Sequence, residues 1–325
     1  MIPAQLPVLR RLAGWLSLLV LALPAAAASC NEPATPDTLG GSVLPQLSVA
    51  DWASAGRPRP QAFMLADPQR VLVLVQPDLG RQGQTFARMV AFMEKSGLPR
   101  SRVPSQAELQ QWLQRTGQRI ETLTLGNNLD ALRLARFYNL ARWQGESLGS
   151  AEAGLLADLL CWQVLAVTDH GYLPGSGAAM LLTFPQPSDV PSCDACRVSE
   201  ADSLAILGHE YQHARYFSDP ALQHYTEWFW FNRVPLLQRL ELMRLLERRG
   251  YDITQQPLLL DEFHAFLMQA EQRMPVGGQE VGMSGDVFGQ LRQHFINGMA
   301  AFEAGKGPTR MLPLTFQPTI QGEWK

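Results

Sequence analysis

His209, Glu210 and His213 stand in the order His-Glu-x-x-His within Leu207-Gly208-His209-Glu210-Tyr211-Gln212-His213-Ala214. On a helix, residues four apart share one face a turn apart, so both imidazoles project side by side. Two neutral imidazole nitrogens so placed can grip one zinc ion. Glu210 stands next to them without needing to ligate, where its carboxylate can take a proton from a water on the ion. A solvent-exposed helix carrying the same three residues is the bland alternative. Leu204, Ile206, Leu207, Tyr211, Ala214 and Phe217 argue against it. They predict a helix buried over much of its surface, and polar groups withdrawn from water need partners.

The elements that must hold this motif can be read outward from it. Ser199 is an expected N-cap, Asp202 three residues on completes a capping box, and no proline follows until Pro220. A catalytic zinc takes three protein ligands and keeps one position open. Glu262 is the expected third ligand, because Leu258 to Met268 reads as a helix apolar nearly all round, where an unpaired carboxylate is costly. A buried ion pair with an arginine is the other way to satisfy Glu262. Glu227 is the rival ligand, nearer in sequence and beside the aromatic run Trp228-Phe229-Trp230-Phe231, which itself reads as core.

The chain starts with the marks of export. Arg10 and Arg11 precede an apolar run from Leu12 to Leu23, too short to span a membrane, and Ala25 to Ala28 offers a cleavage site. Residues 1–28 therefore read as a signal peptide, implying a periplasmic or secreted protein. Cys30 follows a poor lipobox, so a lipid anchor at Cys30 is the minority reading. Residues 29–70 are rich in Pro, Ser and Ala and read as an extended arm or linker. Residues 71–170 read as mainly helical after a strand at Val71 to Val75, with helices at Thr85 to Ser96, from Ser105, at Asn128 to Trp143 and at Ala151 to Val167. Residues 171–325 hold the motif. His170 to Gly177 reads as a turn, Ala178 to Phe184 as a strand, and Pro235 to Gly250 as a helix ending on a glycine cap. The fold class is α+β, mostly helical.

The formal net charge of −3 gives no basic footprint for nucleic acid. The four cysteines are Cys30, Cys161, Cys193 and Cys196. In an oxidising compartment Cys193-x-x-Cys196 is expected to be disulfide-bonded, pinning the loop ahead of the motif helix, with pairing to Cys161 or Cys30 left open. No thioredoxin-like pattern surrounds it to suggest a redox dithiol.

His209-Glu210-x-x-His213 followed by Glu262 on a later helix resembles the gluzincin group of zinc metallopeptidases. The stretch His209 to Pro220, with Asp261 to Leu267, is also similar to uncharacterised zinc-protease-like domains of bacteria and plants. The resemblance covers about Gly175 to Gln272 and leaves the N-terminal half aside. It implies a zincin-like core with a small sheet and an active-site helix. It also implies one zinc ion on His209, His213 and Glu262, Glu210 as general base, and a peptide or protein substrate. The strand Ala178 to Phe184 would be the cleft's edge strand and pair with that substrate. Many gluzincins carry an aspartate four residues after the ligating glutamate; here that residue is Phe266, so Asp261 or Asp202 is expected to orient a histidine instead. Tyr225, His224, Tyr172 and His264 are the candidate donors to the oxyanion. Two other functions compete: a non-catalytic metal-binding envelope protein, and a thiol–disulfide oxidoreductase using Cys193 and Cys196.

Overall fold

The computed structural model describes residues 44–55, 59–188, 191–269 and 285–303. The expected signal peptide and Cys30 lie outside them. Within them the chain is α+β and mostly helical. In order, the elements are β1 (Gln46–Leu47), α1 (Val49–Ser54), β2 (Ala62–Leu65), β3 (Val71–Gln76), α2 (Leu79–Glu94), α3 (Gln106–Thr116), β4 (Asn127–Asp130), α4 (Ala131–Gln144) and α5 (Ser150–Cys161). There follow β5 (Leu165–Thr168), β6 (Gly171–Pro174), β7 (Met180–Pro185), α6 (Glu200–Ser218), α7 (Pro220–Asn232), α8 (Leu236–Arg248), α9 (Gln256–Met268) and α10 (Gly285–Glu303). No helix among the described residues is long and apolar enough to cross a membrane.

Among the described residues, five strands form one mixed sheet in the order β1-β2-β3-β7-β4; β5 and β6 make a separate hairpin. The central strands are apolar at nearly every position because both faces of the sheet are covered. Leu72, Leu129 and Leu181 point to α2, α4 and α5. The alternate residues Val71, Val73, Val75, Leu182 and Phe184 point to α6, Trp52 and Phe63. A second apolar body is built by α7 to α10 around Tyr225, Phe229, Trp230, Phe263 and Phe295. Helix α6 lies on the sheet and packs along α9, so it joins the two bodies.

Five expectations change. Residues 44–70 are not an extended arm: β1, α1 and β2 lie there, and Trp52 and Phe63 are fully buried. The strand at Met180–Pro185 is not an edge strand but lies between β3 and β4; the edge beside the motif helix is β4. Residues 128–130, expected to be helical, are strand, because Asp130 both ends β4 and caps α4 by accepting from the Arg133 amide. The expected helix at 151–167 likewise stops at Cys161 and gives way to β5, and the expected turn after His170 contains β6.

Candidate metal centre

Helix α6 starts as its sequence predicts. Ser199 accepts from the Asp202 amide, and the Asp202 carboxylate accepts from Ser199 in return. The helix then runs without a break until Asp219, which caps α7 ahead of Pro220. One side of α6 faces the sheet. The other faces α9, and His209, Glu210 and His213 lie where these surroundings converge with the end of β4.

The two imidazole rings stand 4.8 Å apart and nearly perpendicular, with their Nε2 atoms 3.2 Å from each other. Each Nδ1 is occupied. That of His213 is 2.7 Å from Oδ1 of Asp261, and that of His209 is 2.9 Å from Oε1 of Gln269. Both partners are oxygen acceptors, so the Nδ1 protons are donated outward and the Nε2 lone pairs face inward. Either a shared proton or a cation must lie between two such lone pairs. Glu262 closes the triangle, with carboxylate oxygens 3.8 Å from Nε2 of His209 and 4.0 Å from Nε2 of His213. The three donor atoms lie within 4.8 Å of one another.

Glu262 and His213 are only 2% and 1% exposed, and among the described residues no hydrogen-bond donor reaches Oε2 of Glu262. A buried carboxylate left in that state is expensive unless a cation answers it. The donor set therefore fits a metal ion. Two nitrogens on a tetrahedral zinc, with bonds of about 2.0–2.1 Å, stand about 3.3–3.4 Å apart, close to the separation here.

The electrostatics of the protein groups agree. Burial pushes the Glu262 carboxyl up, but the two imidazoles and Lys95 outweigh burial and hold it near 2. Burial opposes charge on His213, yet Asp261, then Glu262 and Glu210, raise it to about 10. Burial lowers His209. Glu210 moves the other way: burial raises it to about 8, with Glu262 and Glu94 adding to the effect and His213 opposing it.

Glu210 is 4% exposed, and its Oε2 also lacks a hydrogen-bond partner among the described residues. It sits against Asn128 of β4 and against Gly126. A Cβ on Gly126 would come within 2.6 Å of the Glu210 carboxylate carbon, so any larger residue here would push the Glu210 side chain out of its present position. His209 and Glu210 open onto a cavity of about 640 Å³, whose walls include residues 122–126, Phe266, Tyr251 and Lys95. That volume suits a small ligand or a short stretch of peptide.

The other predicted site residues fall elsewhere. Glu227 is exposed and accepts from Gln256, away from the histidines. Asp202 caps α6, so Asp261 alone orients His213. None of the four proposed oxyanion donors lines the cavity. Tyr225 donates to the Phe295 carbonyl, His224 is exposed beside Phe302, Tyr172 packs on Tyr138 in the hairpin, and His264 is buried between Tyr216 and Phe295. Tyr251, Lys95 and Gln269 were not anticipated. Gln269 lies just past α9 and carried no signal, but Tyr251 follows directly on the predicted Gly250 cap, the kind of turn that delivers side chains to clefts.

Cys193 and Cys196 have their sulfurs 2.14 Å apart, and Cys196 is fully buried in the core shared by the sheet and α6. The bridge fixes the loop that leads into α6, as expected.

Comparison with protein-family models, with curated proteins and with solved structures returns no match.

Proposed function

We propose that this protein is a zinc-dependent metallopeptidase with a zincin-like active site, hydrolysing peptide bonds in its cavity. One observation carries the reading: a buried His-His-Glu triangle, with both outward ring nitrogens tied down and one carboxylate oxygen unanswered among the described residues, opens beside a second buried carboxylate that faces the cavity. A purely structural site has no use for Glu210 at that position.

His209, His213 and Glu262 would hold the ion. When bound, zinc supplies a Lewis acid that polarises the scissile carbonyl and acidifies a water. The protein's own groups do the rest. Glu210 takes the proton from the attacking water and passes it to the leaving amine, its carboxylate standing beside the two histidines at the cavity wall. Asp261 and Gln269 hold the two rings in the tautomer that presents Nε2. Tyr251 keeps its hydroxyl proton, burial and the nearby Glu262 raising it well above its ordinary value. We assign it as donor to the developing oxyanion. The substrate backbone runs beside residues 122–126, which lead into the edge strand β4.

The test is hydrolysis of a peptide library by the zinc-loaded chain. Cleavage should stop with a chelator and return with zinc. Glu210→Gln should keep the metal and lose activity by about 10²–10⁴-fold. If that variant loses its metal instead, Glu210 is a ligand and the assignment of roles is wrong.

A further inference from the structure

The cavity beside the triangle is basic although the chain is not. Among the described residues that wall it, five are cationic and two are acidic, in a chain of net charge −3. The cations do not come from one run of sequence. Arg119 precedes the short 3₁₀ turn at Ile120–Thr122, Arg197 follows the disulfide-pinned turn at Asp194–Cys196, Arg248 and Arg249 end α8, and Lys95 ends α2. Four separate segments thus converge on one concavity, which local composition does not explain.

The two acids are already engaged. Asp202 accepts from Ser199 at the start of α6, and Glu210 is the base proposed above. The arginines reach close to the triangle: the Arg249 guanidinium lies 5.5 Å from the centre of the Phe266 ring, and that ring lies 4.9 Å from the His209 ring. Arg119 is 60% exposed, with its Nε 3.4 Å from the Glu121 carboxylate, and Arg197 is exposed; both stand at the rim, where an incoming carboxylate must compete with Glu121 for Arg119.

We infer that the cavity selects acidic peptides, with Asp or Glu side chains flanking the bond presented to His209 and Glu210. This deepens the peptidase reading and rests on it for the kind of chain bound. An extended peptide advances about 3.3 Å per residue, so carboxylates within two or three residues of the scissile bond fall among these arginines. Arginine's fork matches a carboxylate in two-point contact. The attraction is made at exposed side chains, so it must weaken with salt.

The experiment measures binding rather than turnover. The zinc-loaded full chain carrying Glu210→Gln is titrated with fluorescein-labelled decapeptides of one sequence, in which four flanking positions are all Glu, all Gln or all Lys. The Glu peptide should bind on the order of fivefold to tenfold tighter than the Gln peptide at low salt, with the Lys peptide weakest. The gap should shrink with added salt and in a variant that also carries Arg119→Gln and Arg197→Gln. Equal binding of the Glu and Gln peptides overturns the inference. So does a gap that survives both arginine substitutions and high salt. So does an oligonucleotide of matched charge that displaces the Glu peptide better than the unlabelled peptide itself. The two readings fail separately. Selective binding of the Glu peptide with no cleavage by the wild-type chain sinks the peptidase and leaves the acidic preference standing. Cleavage without charge preference does the reverse.

Discussion

Asp261 and Glu262, neighbours on α9, address opposite ends of one imidazole: Asp261 accepts from Nδ1 of His213 at 2.7 Å, and Glu262 faces its Nε2 at 4.0 Å. Successive residues on a helix point about 100° apart, so the pair can straddle the ring that α6 inserts between them. One helix thus supplies both the proposed third ligand and the group that orients the second.

Removing the orienting group should therefore weaken the metal site without touching a ligand. Asp261→Ala should lower zinc affinity by about 10–100-fold, and Asp261→Asn by less, since an amide oxygen can still accept. Competition against a chromogenic chelator measures both. Unchanged affinity in the alanine variant would remove Asp261 from the site.

Zinc binding should release protons. The ordinary histidine value is 6.5, and His213 is raised to about 10, so without an ion its ring carries a proton at pH 7. Ligation needs the Nε2 lone pair, so binding expels that proton and affinity rises with pH until His213 is deprotonated on its own. Calorimetric titrations at pH 7 in two buffers of different ionisation enthalpy should show about one proton or more released per ion. A heat that does not depend on the buffer would contradict this.

Gly126→Ala should damage catalysis while sparing the metal. The new methyl group meets the Glu210 carboxylate, not the three ligands. We expect kcat to fall by about 10–100-fold, the usual consequence of misplacing a catalytic group by about an ångström. Zinc content should stay at that of the wild type. Full activity in this variant would mean that Glu210 can move freely and that its contact with Gly126 does not position it.

How much of this was legible depends on where each signal lives. The motif helix could be read because its cap, its length and its spaced histidines are all local. Glu262 could be read because a carboxylate in an apolar helix is a conflict that only tertiary structure resolves. The opposite wall of the cavity could not. Residues 122–126, Tyr251 and Lys95 come from turns and element ends, which carry no periodicity. The strand Met180–Pro185 was informative but misread: a run apolar at nearly every position signals burial on both faces, hence a central strand rather than an edge. The segment 44–70 hid its structure because Trp52, Phe63 and Leu65 sit on elements of six residues or fewer, ordered only by pairing and packing with distant parts of the chain.

That segment should nonetheless be integral to stability. Trp52 is fully buried, edge-on to Phe184 at 4.8 Å, with the Arg59 guanidinium 4.6 Å from its ring centre. Trp52→Ala should cost about 3–5 kcal/mol of unfolding free energy, readable as a lower midpoint in denaturant. A stability equal to that of the wild type would return residues 44–70 to the role of a dispensable arm.

The central claim is that one zinc ion sits between His209, His213 and Glu262. Crystals of the zinc-loaded protein, with anomalous data collected on both sides of the zinc absorption edge, test it directly. The account predicts a single strong peak bonded to Nε2 of both histidines and to a carboxylate oxygen of Glu262, at about 2.0–2.2 Å. Glu210 should stand near the ion without ligating it, and the peak should vanish in Glu262→Ala crystals soaked at the same zinc concentration. A peak bonded to Glu210, Glu227 or Asp261 in place of Glu262, or no peak at this triangle, would contradict the account.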